Sequence, residues 1–288
     1  MRVRSAMVVI VLVASCTSVE PSSEPSASIT FGDAEIGGYR LDYECLGAGA
    51  TTIVLEAGYD TGGTSAFSVI IPRLADIARV CTYDRAGTGS SDDRPPAEAR
   101  GLTSLDQARE LHALLAAAGL GPPYVLVAHS YGGFVSRLFA ATYRDEVQAL
   151  VLIESSHEDE VPAYRRYYGD DPEGDRIDGG DPLDMGATTR ALRGAARDLG
   201  AIPVIVIRAQ TYEDVLSETL WRRTQADLAT LSTDGMEIEA LHSGHLVQDD
   251  NPTVVVAAVR AAVRAVTSGE ALVPCEQVID GVEARCLH

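Results

Sequence analysis

The chain has 288 residues, of which 46% are hydrophobic, so it is long enough to bury the core of one sizeable domain. Its formal net charge is −19, and all 23 basic residues are arginine. A nucleic-acid partner is not expected, because this acidic chain offers no basic patch to replace the counterions of phosphate groups.

The first residues of the chain resemble an export signal. Two arginines precede an apolar run over residues 6–13, which is too short to cross a bilayer as an ordinary transmembrane helix. The run ends in Val13-Ala14-Ser15-Cys16, which resembles the lipobox of bacterial lipoproteins. This resemblance implies a signal peptide over residues 1–15, lipidation of Cys16, and anchoring to the outer face of a bacterial cell membrane. A secreted protein with an ordinary cleaved signal and an incidental cysteine is the alternative.

Residues 16–28 are mostly Ser, Pro, Glu and Thr, with almost nothing to bury. That composition predicts a disordered tether, which leaves residues 29–288 for the folded domain. We expect the domain to open with an antiparallel hairpin whose two strands, 29–31 and 39–45, turn at Gly37-Gly38.

The remaining predicted elements alternate between strands and helices. They are strand 51–56, helix 65–78, strand 79–83, helix 105–118, strand 124–129, helix 134–143, strand 149–154, strand 203–207, helix 213–231, strand 236–241 and helix 252–266. This alternation predicts an α/β fold with a mostly parallel sheet and right-handed crossovers. The segment over about 155–200 lacks strand character and holds one short helix near 189–199. An insertion between two core strands is typical of a lid, so we expect a small lid there.

The mature domain has an even number of cysteines: Cys45, Cys81, Cys275 and Cys286. In an exported chain this predicts disulfides, and buried free thiols are the alternative. Cys275 and Cys286 would close a short loop in the tail, whereas Cys45 and Cys81 lie on segments predicted to be neighbouring strands. Neither pair has a histidine at metal-ligand spacing, and the acidic residues of the lid do not follow a calcium-loop spacing. We therefore expect no metal and no cofactor.

The stretch from Tyr124 to Gly133 is typical of a strand, a sharp turn and a helix, with Ser130 at the turn. Such a turn exposes the serine oxygen at the end of a sheet. It also places the backbone N–H groups that follow at a helix N-terminus, where partial positive charge favours an oxyanion. The alternative is that Ser130 only caps a helix beside a buried strand.

Four segments, in order and spacing, resemble the serine hydrolases of the α/β-hydrolase fold. They are the bend Leu55-Glu56-Ala57-Gly58-Tyr59, the loop Tyr83 to Ser91, the turn at Ser130, and Ser243-Gly244-His245 ahead of Asp250-Asn251-Pro252. The resemblance extends from about Ile29 to Thr267 and implies a mostly parallel central sheet flanked by helices. Two positions depart from the family pattern: Ala57 replaces its usual histidine, and Ala128 replaces its first elbow glycine.

The resemblance implies a role for each residue of a catalytic site. Ser130 is the nucleophile and His245 the base, in the family's order of nucleophile, acid and histidine. The backbone N–H groups of Tyr59 and Tyr131 form the oxyanion hole. A serine at the elbow implies acyl transfer, whereas an aspartate would imply epoxide hydrolase or dehalogenase chemistry. The other histidines are expected in packing, strand-end or rim positions: His112, His129, His157 and His242.

Two carboxylates compete for the role of the catalytic acid. Most family members carry the acid after the strand equivalent to 203–207, where Asp214 and its neighbour Glu213 are the candidates. Tyr212, however, stands where the family's aspartate normally falls. Glu154 directly follows the preceding strand, a position used by some lipases of this fold, and we favour it over Asp214. A structural ion pair of Glu154 with a lid arginine, Arg165 or Arg166, is the alternative.

These features favour hydrolysis of a small-molecule carboxylic ester through an acyl-enzyme. A peptidase or amidase on the same fold is the first alternative, because the triad is shared. A catalytically silent surface protein that retains the fold for binding is the second. The resemblance in fold implies a class of reaction but does not identify the substrate.

Overall fold

The computed structural model describes residues 29–287, except 60, 96–100, 161, 164–165, 167–175, 178–180 and 213–214. The expected signal peptide, the lipidation site at Cys16 and the tether lie outside the described residues, as do Asp214, Glu213 and Arg165. In the part of the chain that is described, no helix combines the length and the apolar character needed to span a membrane.

Eleven strands are described. They are β1 Ile29–Glu35, β2 Arg40–Leu46, β3 Thr52–Glu56, β4 Arg79–Tyr83, β5 Tyr124–His129, β6 Val147–Ile153, β7 Arg176–Ile177, β8 Asp181–Pro182, β9 Val204–Ala209, β10 Gly235–Ala240 and β11 Ala284–Leu287.

The described helices vary from one turn to almost five. They are α1 Gly63–Phe67, α2 Ile71–Leu74, α3 Ser104–Ala117, α4 Gly132–Thr142, α5 Met185–Ala195, α6 Val215–Ala229, α7 Val247–Asp250, α8 Pro252–Ser268 and α9 Cys275–Val278. The side chain of Thr103 caps α3 by accepting a hydrogen bond from the backbone N–H of Asp106.

In the described residues the central sheet has nine strands in the order β1-β2-β4-β3-β5-β6-β9-β10-β11. The six inner strands from β4 to β10 run parallel, and β1, β2 and β11 add antiparallel pairs at the two edges. Every residue of β3, β5 and β9 is buried, because helices cover both faces of the sheet. The predicted parallel sheet is confirmed.

One apolar layer lies on each face of the sheet. On one face α3, α4 and α5 contribute Leu111, Phe139 and Leu192, and on the other α1, α2 and α8 contribute Phe67, Leu74 and Val259. The two layers hold the inner strands rigid, so the loops at the carboxyl edge of the sheet have a fixed base.

Both predicted disulfides are present. Cys45 lies directly opposite Cys81 in the register of β2 and β4, and their sulfur atoms are 2.04 Å apart. Cys275 and Cys286 join α9 to β11.

Three predicted elements differ from the structure. The helix expected over 65–78 is two short helices, α1 and α2, because Pro72 lacks the N–H that a continuous helix needs and stands instead at the start of α2. The strand 236–241 is not the last, since the tail adds β11 to the sheet beside β10. The segment expected to form a lid contains the short antiparallel pair β7–β8, and its helix begins at Met185 behind the capping carboxylate of Asp184.

Candidate active site

Three predicted site residues lie together at the carboxyl edge of the sheet. Ser130 follows β5, Glu154 follows the neighbouring strand β6, and His245 lies in the loop after β10. Parallel strands end at the same edge, and for this reason the sheet brings together Ser130 and a histidine 115 positions further along the chain.

Ser130 occupies a strained backbone conformation, with φ of 52° in the left-handed region. Its backbone N–H donates to the Ile153 carbonyl at 3.0 Å, and its own carbonyl accepts from Gly133 at 3.0 Å. At Gly132 a Cβ atom would lie 2.6 Å from the carbonyl oxygens of Glu56 and Ala57. The turn therefore depends on glycine at 132, where the helix passes close to the end of β3.

A chain of hydrogen bonds connects the three side chains. The Ser130 Oγ lies 3.0 Å from His245 Nε2, and His245 Nδ1 lies 3.4 Å from Glu154 Oε2. The Glu154 side chain is 2% exposed, whereas that of His245 is 49% exposed. If Nε2 accepts the hydrogen bond from the Ser130 hydroxyl, Nδ1 carries the proton and donates it toward the buried carboxylate.

Glu154 is held in place by more than the histidine. It has a positive φ of 44°, and its Oε1 accepts a 2.6 Å hydrogen bond from the backbone N–H of Ala209. The Tyr212 hydroxyl lies 3.3 Å from the same oxygen. Burial and the charge of Glu154 raise the pKa of Tyr212, which therefore stays neutral and remains a donor. Tyr212, at the position where the family's acid was expected, thus contacts the carboxylate that the structure brings to His245.

The two residues predicted to supply oxyanion-hole donors, Tyr59 and Tyr131, lie on segments next to Ser130. Tyr131 stands at the start of α4, and Tyr59 follows the bend after β3. A Cβ atom at Gly58 would lie 3.4 Å from the Ser130 Cβ, so this bend packs against the nucleophile. The rings of Tyr59 and Tyr131 meet edge to face, with centroids 6.4 Å apart.

His129 is adjacent to Ser130 but is turned away from it. Its Nε2 lies 2.9 Å from the His245 carbonyl oxygen, which can only accept, so Nε2 carries the proton. Burial first, and then the neighbouring His245, lower the pKa of His129 to about 3. His129 therefore stays neutral and holds the backbone of the loop that carries His245, in agreement with its expected packing position.

The remaining histidines lie elsewhere. His157 is buried, and its Nε2 is 2.9 Å from an Asp227 oxygen, an interior position rather than the expected rim. His242 has a positive φ of 58° just after β10, as a strand-end residue. His112 stacks on the ring of Tyr143 at 3.8 Å, in a packing role.

Sequence reasoning missed two groups near the site. Trp221 on α6 packs its ring 5.6 Å from that of His245. Glu160, at the start of the lid, is 4% exposed and accepts a hydrogen bond from the Thr224 hydroxyl. Burial raises the pKa of Glu160 to about 8. The helical spacing from Trp221 to Thr224 places both side chains on one face of α6, but only the long-range fold shows what that face contacts.

Comparison with known proteins supports the fold. Residues 52–184 match the family model described as the alpha/beta hydrolase fold. The uncharacterized protein YqjL of Bacillus subtilis is 27% identical over 216 residues, which are 73% of this chain and 82% of that protein. A haloalkane dehalogenase of Sphingobium indicum is 31% identical over 121 residues, which are 42% of this chain and 40% of that protein.

A solved structure agrees over most of the domain. The thermophilic esterase from Thermogutta terrifontis with malate bound has a TM-score of 0.58 and 22% identity, covering 82% of this chain and 99% of that chain. This chain has the alpha/beta hydrolase fold, and the proteins that it resembles include several named as hydrolases. The expected fold class is confirmed. Because these names include both an esterase and a dehalogenase, the reaction has to be argued from the site itself.

Proposed function

We propose that the protein is a serine hydrolase that cleaves a carboxylic ester through an acyl-enzyme, with Ser130, His245 and Glu154 as its triad. The observation that carries this proposal is the connected path from Ser130 Oγ to His245 Nε2 and from His245 Nδ1 to Glu154 Oε2. A serine hydroxyl is a weak nucleophile alone, and a histidine within hydrogen-bond reach removes that limit.

The reaction would proceed in two steps, formation of the acyl-enzyme and its hydrolysis. Ser130 Oγ attacks the ester carbonyl carbon while its proton moves to His245 Nε2, and the carbonyl electron pair becomes the oxyanion. When that intermediate collapses, the bond to the leaving oxygen breaks and His245 returns the proton to the departing alcohol. Water then attacks the acyl-serine in the same way, with His245 as base, and the acid product leaves.

The surrounding groups would stabilise the charges that form in these steps. Glu154 faces the imidazolium that exists only after proton transfer, and the N–H groups of Tyr59 and Tyr131 would donate to the oxyanion. Fixed donors of this kind are worth roughly 3–4 kcal/mol each when aimed at developing charge.

The first test treats the purified chain with a fluorophosphonate probe. We expect covalent labelling of the parent and none of Ser130→Ala, with mass spectrometry placing the adduct on residue 130. A folded parent that does not react, or a Ser130→Ala variant that still reacts, would contradict the proposed nucleophile.

A second measurement distinguishes an esterase from a peptidase or amidase. We expect turnover of short p-nitrophenyl esters and at least about a hundredfold slower turnover of the matched p-nitroanilides. An amide carries a worse leaving group, so a site without special means to protonate it favours esters. Equal rates on both substrates would favour the peptidase or amidase alternative.

We also propose that the enzyme works outside the cell, tethered to the membrane by lipid on Cys16. The support is the lipobox-like sequence, together with two disulfides, which persist in oxidising compartments. Radiolabelled palmitate should label the parent and not Cys16→Ser, and the variant should leave the membrane fraction. Equal labelling of both would exclude Cys16 as the anchor.

A further inference from the structure

The bend after β3 is held from behind by one arginine. Arg85, from the loop that follows β4, is 3% exposed, and its guanidinium donates to two successive backbone carbonyls. Arg85 Nη1 lies 2.9 Å from the Ala57 carbonyl oxygen, and Nη2 lies 2.5 Å from the Gly58 carbonyl oxygen. A planar guanidinium that binds two carbonyls in this way fixes the orientation of both peptide planes.

The charge of Arg85 is itself held in a buried cluster. Arg85 Nη1 lies 2.6 Å from Glu56 Oε1, and the Tyr83 hydroxyl donates to Glu56 Oε2 at 2.6 Å. The side chains of the ion pair are 3% and 1% exposed. A fully buried ion pair contributes little net stability over an apolar pair of the same volume, so stability alone does not account for a charge at this place.

The peptide geometry links Arg85 to the proposed oxyanion hole. In a trans peptide unit the C=O of one residue and the N–H of the next point in opposite directions. Since the Gly58 carbonyl points at Arg85, the N–H of Tyr59 points away from it. Gly58 itself packs against Ser130, so the direction of this peptide is set beside the nucleophile.

The same guanidinium also contacts the second donor residue. The Arg85 Cζ lies 5.7 Å from the centre of the Tyr131 ring, in a cation–π arrangement. One buried cation therefore contacts both segments whose backbone N–H groups would bind the oxyanion, one through the Gly58 carbonyl and the other through the Tyr131 side chain.

We infer that Arg85 is a positioning residue that aims the Tyr59 and Tyr131 N–H groups at the oxyanion, with Glu56 holding the guanidinium in place. This inference rests on the proposed acyl-transfer function. Arg85 does not touch substrate in this role; it acts through the backbone. It should therefore affect the transition state, where the oxyanion exists, far more than substrate binding.

The test is a double variant, Arg85→Met with Glu56→Gln, which removes both charges so that neither is left buried alone. The control is Arg94→Met with Glu110→Gln, which removes an ion pair between a buried arginine and a partly buried glutamate whose Nε–Oε1 distance is 2.6 Å. We expect the Arg85 double variant to lose roughly a hundredfold in kcat with KM changed by less than about threefold. Affinity for a trifluoromethyl ketone, whose adduct with serine carries an oxyanion, should fall in parallel. The Arg94 control should keep both quantities within about threefold.

The single variant Arg85→Lys provides an independent test of the same inference. It keeps a cation beside Glu56 but cannot donate through a planar fork to both carbonyls. We expect a folded protein with a loss in kcat of roughly tenfold or more and an unchanged KM. The Arg85→Lys variant tests the role of Arg85 even if the double variant does not fold.

The outcomes separate the two proposals. If the parent is active and a folded Arg85 variant retains the parent kcat and ketone affinity, the inference about Arg85 is wrong while the proposed function stands. A loss in the Arg94 control equal to that in the Arg85 variant would also overturn the inference, since any buried pair would then do the same. If the parent neither hydrolyses esters nor labels at Ser130, the proposed function itself fails.

Discussion

Two buried glutamates flank the nucleophile, and their surroundings differ. Glu56 ends β3 and Glu154 follows β6, the strands on either side of β5, and both side chains are almost fully buried. Glu56 is neutralised by the permanent cation of Arg85. Glu154 receives a backbone N–H, a tyrosine hydroxyl and the imidazole of His245, and within the described residues it forms no ion pair with an arginine.

The difference concerns when each carboxylate meets a positive charge. The partner of Glu56 is charged at all times, so this pair can only fix a geometry. In the proposed reaction the partner of Glu154 becomes charged only when His245 takes a proton, so the attraction would arise during that reaction. An interaction that strengthens toward the transition state raises kcat, whereas one that is constant does not. The same residue type therefore fits a structural role on one side of Ser130 and a catalytic role on the other.

The largest expected effect comes from neutralising Glu154. Glu154→Gln should lower kcat by roughly a thousandfold or more, because a neutral amide no longer stabilises the imidazolium or its tautomer. Asp214→Asn, the matched change in the competing acid, should alter kcat by less than about fivefold. Ester hydrolysis by the two purified variants measures this, and the reverse ranking would assign the acid to Asp214.

The next largest effect is on stability, and it tests whether Glu56 is a buried charge that depends on Arg85. Arg85→Met alone should lower the free energy of unfolding by roughly 3–5 kcal/mol, because it leaves the buried Glu56 charge without its partner. Adding Glu56→Gln should restore most of that loss. Urea unfolding of the single and double variants tests this, and equal stabilities would show that the pair is not desolvated as the structure indicates.

A third buried glutamate, Glu160, should make the stability of the protein depend on pH. The pKa of Glu160 is raised to about 8, mainly by burial, so it is protonated in the folded state at pH values where the unfolded chain has ionised. Its contribution to stability is therefore fully present below the unfolded pKa and is lost as the pH rises through about 8. The slope is at most about 1.4 kcal/mol per pH unit.

Glu160→Gln should remove this dependence and be more stable than the parent near pH 8. Urea unfolding of both proteins at several pH values between about 5 and 8 measures the difference. Parallel stability curves for the variant and the parent would show that Glu160 is ionised in the folded protein.

The smallest expected effect is at Tyr212. Tyr212→Phe removes a long hydrogen bond to Glu154 and a 3.0 Å hydrogen bond to the Ala209 carbonyl, but it leaves the Ala209 N–H donor in place, so we expect a loss in kcat of about three- to tenfold. Steady-state kinetics with a p-nitrophenyl ester measures this. A loss as large as that of Glu154→Gln would mean that the hydroxyl, rather than the backbone N–H, fixes the carboxylate.

What the sequence predicted well was encoded locally. The run of buried residues, the tight turn and the two glycines that follow mark the strand–turn–helix at Ser130, and an even cysteine count indicates disulfides. Pro72 is also a local feature, and it indicates that the helix predicted over 65–78 is divided in two. The turn and the helix break depend on a few consecutive residues and the disulfides on a simple count, so the sequence predicts them without knowledge of long-range contacts.

What the sequence did not predict depends on contacts between distant segments. Nothing local distinguishes Glu56, with a permanent cation, from Glu154, since both follow apolar runs. The contact of Tyr212 with Glu154 and the packing of Trp221 on His245 arise only when β6, β9 and α6 come together. The proximity of Glu154 to His245 likewise depends on the sheet order, which brings the loops after β6 and β10 to the same edge.

The strand β11 has a practical consequence for making the protein. It covers the edge of β10, the strand that leads into the loop carrying His245, and the Cys275–Cys286 bond fastens it there. An uncovered edge strand pairs readily with other chains. Production in a reducing cytoplasm, or with a C-terminal fusion that displaces the last residues, would free this edge and favour aggregates. Export before folding, with any purification tag placed ahead of residue 29, keeps the edge closed.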